Sequence, residues 1–332
     1  MRSGLAAVSR TDGLALRQSE WNRLLSRSAV DTIFLSWEWQ DLWWQALGYP
    51  SGCEQFLLVH RDGEELIGLA PLLREGTTFR FAGGEEIADF LDFIALPGRE
   101  QEVANGILDC LADEQWDLLE MRNLREASLS LAYLAPEAER RGLAVAVEQE
   151  DVSPWLRLPT DWDAYLAGLS KKDRHELRRK LRRLHAAGDV RWYVARGSGE
   201  RRADVADFVR LHRLSAESKA AFMTPQMEGW FQALVERFEP LGTLKLYFLE
   251  VDAVRVASAI CFDYRDQILL YNSGYDPEYA RLSAGLALKA YCVYDAIAAG
   301  REVFDFLQGP EPYKYDLGAV DAPIYRLRIQ RT

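Results

Sequence analysis

Apolar residues switch between strand-like and helix-like spacing along the chain, and the switches divide it into elements. Residues 55–61 and 66–73 are apolar runs on either side of Asp62-Gly63, which predicts a β-hairpin. Strands are expected at 77–82 and 90–95. Helical spacing follows in Val103, Ile107, Leu108 and Leu111, and 116–121 returns to a strand. Ahead of the hairpin, 34–47 suits an amphipathic helix that starts near Ser36 and is stopped by Gly48-Tyr49-Pro50. Its Trp37, Trp39, Trp43 and Trp44 fit a buried aromatic face, which is commoner than a ligand-stacking cluster.

The second half follows the same plan. Residues 244–250, a turn at Asp252 and 255–263 form another hairpin, about 190 positions after the first. Residues 267–271 read as a strand ended by Asn272, Ser273 and Gly274. Leu286, Ala290, Val293 and Ile297 then recur at helical spacing up to Gly300, and 302–307 is a further strand. A plan used twice predicts a duplicated α/β (α+β) domain with mixed sheets flanked by helices. Ser153-Pro154 and Pro159 mark the join, giving domains 1–152 and 153–332.

Just after the join, 161–169 is a short helix, and Ser170 is placed to cap a basic helix over 171–187. Its apolar stripe is Leu177, Leu181 and Leu184. Arg174 and Arg178 lie beside that stripe and are candidates for contacting an anionic substrate, while Arg179, Lys180 and Arg183 are expected in water. The alternative is a wholly solvated charged face.

Composition narrows the function. With 332 residues, 48% hydrophobic and 11% aromatic, two sizeable cores are affordable. The net charge of -11 argues against a general nucleic-acid or DNA binder. Yet residues 171–183 hold eight basic and two acidic residues, a local +6 that would attract an acidic partner. No secretory leader and no run of 18 apolar residues is seen, so a cytoplasmic protein without membrane insertion is expected. Cys53, Cys110, Cys261 and Cys292 are scattered and read as reduced packing residues. His60, His175, His185 and His212 have no metal spacing and read as structural or solvated. No GxSxG, P-loop or GxGxxG phrase occurs, which weakens hydrolase, kinase and dehydrogenase readings.

The candidate chemistry lies at 272–318. With Ser283 as N-cap, Ala284 and Gly285 fall on a first helical turn whose free N–H groups are almost bare, an end suited to a phosphate, with Arg281 two residues ahead. An ordinary helix start with a solvated Arg281 fits the spacing too. Taken together, Ser283-Ala284-Gly285-Leu286, Phe304-Asp305-Phe306 and Tyr313-Lys314 resemble the double-GNAT acyltransferases, the branch holding the CelD-type proteins of polysaccharide biosynthesis and, more distantly, the FemAB peptidoglycan aminoacyltransferases. Segment 171–188 is also similar to a FemAB segment where basic residues meet an anionic substrate.

The resemblance implies tandem GNAT-like domains. It also implies transfer of an acyl group from acetyl-CoA or another acyl-CoA to an amine, on a small-molecule, sugar or cell-envelope precursor, with no metal. The donor would lie against Asn272 and Gly274 at the strand end and against Arg281, Ser283, Ala284, Gly285 and Leu286 at the helix start. Lys314 would stabilise carbonyl charge, Asp305 or Tyr313 would accept the proton, and Tyr275 and Tyr279 would wall the acceptor site. The first copy has Glu100 and Glu102 at the matching helix start and lacks the Tyr-Lys loop, so it is expected to lend only a wall. Two alternatives remain: aminoacyl transfer from charged tRNA, and a non-catalytic accessory protein of polysaccharide assembly.

Overall fold

A computed structural model describes residues 7–11, 16–48, 51–195 and 201–331; Tyr49 and Pro50 lie outside them. The chain divides into two compact units, Met1–Asp151 with Pro323–Thr332, and Val152–Ala322.

The first unit runs β1 (Ala7–Thr11), α1 (Gln18–Leu25), α2 (Trp37–Trp43), β2 (Glu54–Asp62), β3 (Glu65–Glu75), β4 (Thr78–Phe81), β5 (Ile94–Ala95), α3 (Glu100–Ala112), β6 (Leu118–Arg125) and α4 (Ala135–Arg140). The expected hairpin is β2–β3, closed at Asp62 and Glu65. Ser36 caps α2 by accepting from the Trp39 N–H, and Trp39 and Trp43 are buried in the core. The strand expected at 90–95 shrinks to Ile94–Ala95, paired with β3. The cause is Asp92, whose buried carboxylate accepts from the amides of Phe93, Leu129 and Ser130 and from the Ser130 hydroxyl, so this stretch is held by a side chain instead of a ladder.

The second unit opens within β7 (Ala144–Arg157). It continues through α5 (Trp162–Gly168), α6 (Lys171–His185), β8 (Val190–Val194), α7 (Arg201–Ser215), α8 (Glu217–Phe222), α9 (Pro225–Phe238), β9 (Leu244–Val251), β10 (Val254–Tyr264), β11 (Gln267–Tyr275), α10 (Ala284–Ala298), β12 (Val303–Asp305) and α11 (Pro312–Asp316). A last strand, β13 (Val320–Gln330), ends the chain. Its order is β8-β9-β10-β11-β12-β7, antiparallel except for the parallel β11–β12 pair.

The first unit repeats that order as β1-β2-β3-β4-β6-β13, again with one parallel pair, β4–β6, in the fourth place. The last ten residues therefore sit with the first unit rather than closing the second. Ile324, Leu327 and Ile329 are buried along β13 and pair with Arg125, Met121 and Leu119 of β6, which fixes the strand there.

In the second unit α10 packs on β9, β10 and β11. Small residues bring its backbone close, and Ala284, Ala287, Ala290, Cys292, Val293 and Ala296 are all fully buried. The helix ends at Gly300, φ +70°, where the N–H groups of Gly300 and Arg301 return to Ile297 and Ala296.

Candidate functional site

The parallel pair β11–β12 is short, covering Gln267 to Leu269 against Val303 to Asp305. Beyond it the chain leaves for β7, where the Phe306 N–H donates to Pro154 O, while β11 runs on to Tyr275 with β10 as its one strand partner among the described residues. An edge of β11 without a strand partner among the described residues thus leads to the start of α10, its Ser273 amide and carbonyl taken up by Asn272 Oδ1 and Lys219.

That start is built differently from the expected cap. Ser283 is left-handed, φ 58° and ψ 37°, and its side chain makes no cap bond. A non-glycine residue in this region stores strain of about 1–2 kcal/mol. It turns the chain from the 3-10 stretch Pro277–Leu282 directly into α10. The Ser283 N–H donates to Ala280 O and the Ala287 N–H to Ser283 O, so the amides of Ala284, Gly285 and Leu286 form the free first turn. No acidic residue lies in it. The ring of Tyr275 covers Gly285, where an added Cβ would meet ring carbon Cδ1 at 3.0 Å.

Arg183, expected in water, instead reaches this point. Its Nη2 donates to Ser283 Oγ at 2.8 Å, and its buried Nε has no partner. Arg281 is exposed, with no bond to another described residue. Arg174 and Arg178 do not assemble with it. Arg174 closes the C-terminus of α5 by donating to Leu166 O and Ala167 O at 3.4 and 3.0 Å, and Arg178 is exposed.

On β11, Asn272 Oδ1 accepts from the Ser273 N–H, and the Asn272 side chain lies beside the buried His212, whose pKa it pulls upward against the larger lowering by burial. Gly274 does not face a cofactor: a Cβ there would lie 2.3 Å from the His212 backbone nitrogen, so this glycine lets α7 touch the strand. Tyr275 and Tyr279 are half-buried, packed on the core of this unit.

The three expected catalytic residues are tied up to different degrees. Lys314 is 1% exposed, and its ammonium donates to the carbonyls of Leu307, Gln308 and Gly309 at 2.8, 2.7 and 2.8 Å and pairs with Glu311 at 2.9 Å. All three protons are spent on holding a turn in which Leu307 has φ 58° and Gly309 φ 104°, which leaves none for a substrate carbonyl. Asp305, also buried, accepts from Ser153 Oγ and the Leu307 N–H. Tyr313 is held protonated by burial, its pKa raised far above the usual phenol value, which suits a proton donor rather than an acceptor.

Sequence reasoning missed the charges around Tyr313. Lys289, one turn into α10, lies 4.5 Å from the centre of the Tyr313 ring, and its only hydrogen bond among the described residues is a 3.4 Å contact to Gly285 O. Burial, then the like charge of Lys219, lowers its pKa to about 8. Lys219 donates to Ser273 O on β11 and is itself lowered, chiefly by burial. His212 is lowered to about 4, first by burial and then by Lys219, and its Nδ1 is buried without a partner. The legible signal was one lysine within the otherwise apolar stretch 284–293 of a helix.

A separate groove of about 650 Å³ lies between α7 and α9, lined by residues such as Val205, Val209, Arg210 and Pro225, and includes none of the residues above. Cys261 and Cys292 are buried free thiols. Among the described residues no group of three or more His, Cys, Asp or Glu could hold a metal ion, and no helix is long and apolar enough to cross a membrane.

Residues 171–315 match the family model described as an acetyltransferase (GNAT) domain. Among solved structures, FemX is similar over 94% of this chain and 96% of its own, at 10% identity and TM-score 0.65. The C-terminal domain (DUF2156) of a putative lysylphosphatidylglycerol synthetase from Agrobacterium fabrum is similar over 94% and 91%, at 11% identity and TM-score 0.60. A tandem GNAT protein from the clavulanic acid biosynthesis pathway is similar over 97% and 98%, at 13% identity and TM-score 0.53. At these identities the likeness is one of fold: the mixed α/β architecture is GNAT-like, with tandem GNAT proteins among its neighbours. No curated protein matches the chain.

Proposed function

We propose that this chain is a GNAT-type N-acyltransferase that moves an acyl group, most simply acetyl from acetyl-CoA, to an amine on an anionic sugar or other envelope-polysaccharide precursor. The observation that supports this most is the divergence of β11 from β12 after Leu269, which opens a strand edge toward three free amides at the start of α10. The donor's diphosphate would take the amides of Gly285 and Leu286, which unlike Ala284 reach the surface, with the unpartnered Nε of Arg183 and the exposed Arg281 beside it. The pantetheine arm would run along β11 past Asn272, bringing the thioester toward Tyr313.

Direct attack by the amine needs orientation and a proton for the departing thiolate. The protonated Tyr313 hydroxyl is the group proposed to supply that proton, and the phenolate it leaves takes up the proton that the attacking amine sheds, which restores the phenol. Lys314 and Asp305 position the turn that carries it, and do not touch substrate. Aminoacyl transfer from charged tRNA is the competing reading, favoured by the FemX likeness across 94% of the chain.

A thermal-shift comparison separates the two. Acetyl-CoA should raise the melting temperature through linkage, by an amount that grows with its concentration. A shift with aminoacyl-tRNA and none with any CoA ester would replace the donor, and no shift with either would leave the accessory role.

A further inference from the structure

Near Tyr313 the Glu311 carboxylate contacts the Lys314 ammonium and is within electrostatic reach of two more, Lys219 and Lys289. Glu311 is half exposed and is already paired with Lys314 at 2.9 Å. Among the described residues Lys219 and Lys289 are thus left without an acid of their own: Lys219 donates to the Ser273 carbonyl, and Lys289 meets the Tyr313 ring face and the distant Gly285 carbonyl. Lys289 is 8% exposed. A buried cation beside a half-buried one of like charge is tolerated in a fold when a ligand neutralises them or when the site loses a proton.

Other charged and titratable groups close to the pair are His212 on α7, Cys261 on β10, Cys292 on α10 itself, and Glu311, Tyr313 and Lys314. Glu311 is the one carboxylate among these groups, and burial keeps the Cys261 thiol and the Tyr313 phenol protonated.

We infer that Lys219 and Lys289 bind an oxyanion of the acyl acceptor, a carboxylate or a phosphate, beside the Tyr313 ring. The assignment of that anion to the acceptor rests on the acyl-transfer reading, whereas the anion site itself does not. The donor's diphosphate would occupy a different place, at Arg183 and Arg281. Burial holds the pKa of both lysines down, and an entering anion would restore the proton of Lys289.

The test is calorimetric titration of the intact protein with inorganic phosphate and, separately, with acetate, at pH 7 and at pH 9.5. Phosphate, acetate or both should bind at pH 7, and the bound anion should be held at least about tenfold more weakly at pH 9.5, where free Lys289 has lost its proton. At pH 8, repeating the titration in buffers of different ionisation enthalpy should show proton uptake. K289M and K219M should each weaken binding by about tenfold or more, while an R183A/R281A double variant keeps it.

Binding that survives in both methionine variants, that is indifferent to pH, or that is absent for both anions at millimolar concentration would overturn the inference. Acetyl-CoA binding is scored independently. Its loss with the phosphate response intact removes the donor reading alone, and the reverse removes the anion pair alone.

Discussion

Replacing Lys289 with methionine should make the protein more stable, because a buried ammonium without a counter-ion is a cost of the folded state. The ordinary lysine value of 10.5 and the folded value of about 8 differ by an amount equivalent to about 3 kcal/mol. Below pH 8 both the folded and the unfolded chain carry this proton, so the full cost is present. Between pH 8 and 10.5 the folded state sheds the proton first and the cost fades, so this group's contribution makes stability rise with pH across that window. Methionine keeps the length and the apolar stem but forfeits the contact with the Tyr313 face, worth about 0.5–2 kcal/mol. The net gain for K289M at pH 7 is therefore about 1–3 kcal/mol. Urea unfolding at pH 7, 8.5 and 9.5 measures it: the two curves should converge as pH rises. Equal or lower stability of K289M at pH 7 would mean that the ammonium is already compensated, and the reasoning would fail.

Three further outcomes follow from the same contacts. Lys314→Ala strips the donor from three carbonyls of the 307–309 turn and should cost about 2–4 kcal/mol in denaturant unfolding, whereas a stable variant with lost turnover would return Lys314 to the chemistry. Gly274→Ala forces a methyl to 2.3 Å from the α7 backbone and should lower stability by about 1–3 kcal/mol or more; an unchanged melting temperature would show that α7 stands off the strand. His212 is neutral in the fold, with its pKa depressed from 6.5 to about 4, so its contribution is complete above pH 6.5 and is lost as pH falls toward 4, on the order of 3 kcal/mol in all. His212→Phe should flatten the part of the stability profile between pH 6.5 and 5, and a profile identical to the parent's would contradict the assignment.

Elements with strong local patterns were legible in the sequence. The hairpins β2–β3 and β9–β10, the capped basic helix α6 and the apolar α10 are all decided by spacing, turn residues and caps within a few positions of each other. What was not legible depends on partners far along the chain. Arg174 and Arg183 sit on one helix, but one is used by carbonyls at 166–167 and the other by Ser283, 100 positions on. Lys314 looked free for chemistry because the turn carbonyls that consume its protons converge only through the positive φ of Leu307 and Gly309. The capping role expected of Ser283 gave way to a left-handed turn that two consecutive helical segments impose. Likewise β13 carries an ordinary alternating pattern, and nothing in it says which unit's edge will receive it.

Acetyl-CoA titrated calorimetrically into the parent protein and into the R183A/R281A variant, with folding of the variant checked by its melting temperature because Arg183 bonds Ser283 at the head of α10, tests the central claim most directly. The account predicts saturable one-to-one binding to the parent and an affinity about tenfold to hundredfold lower in the variant, from the loss of charge-assisted contacts to the diphosphate. Heat-silent titration of a folded parent protein by acetyl-CoA and by longer acyl-CoA esters at several temperatures, or equal affinity in parent and variant, would contradict it.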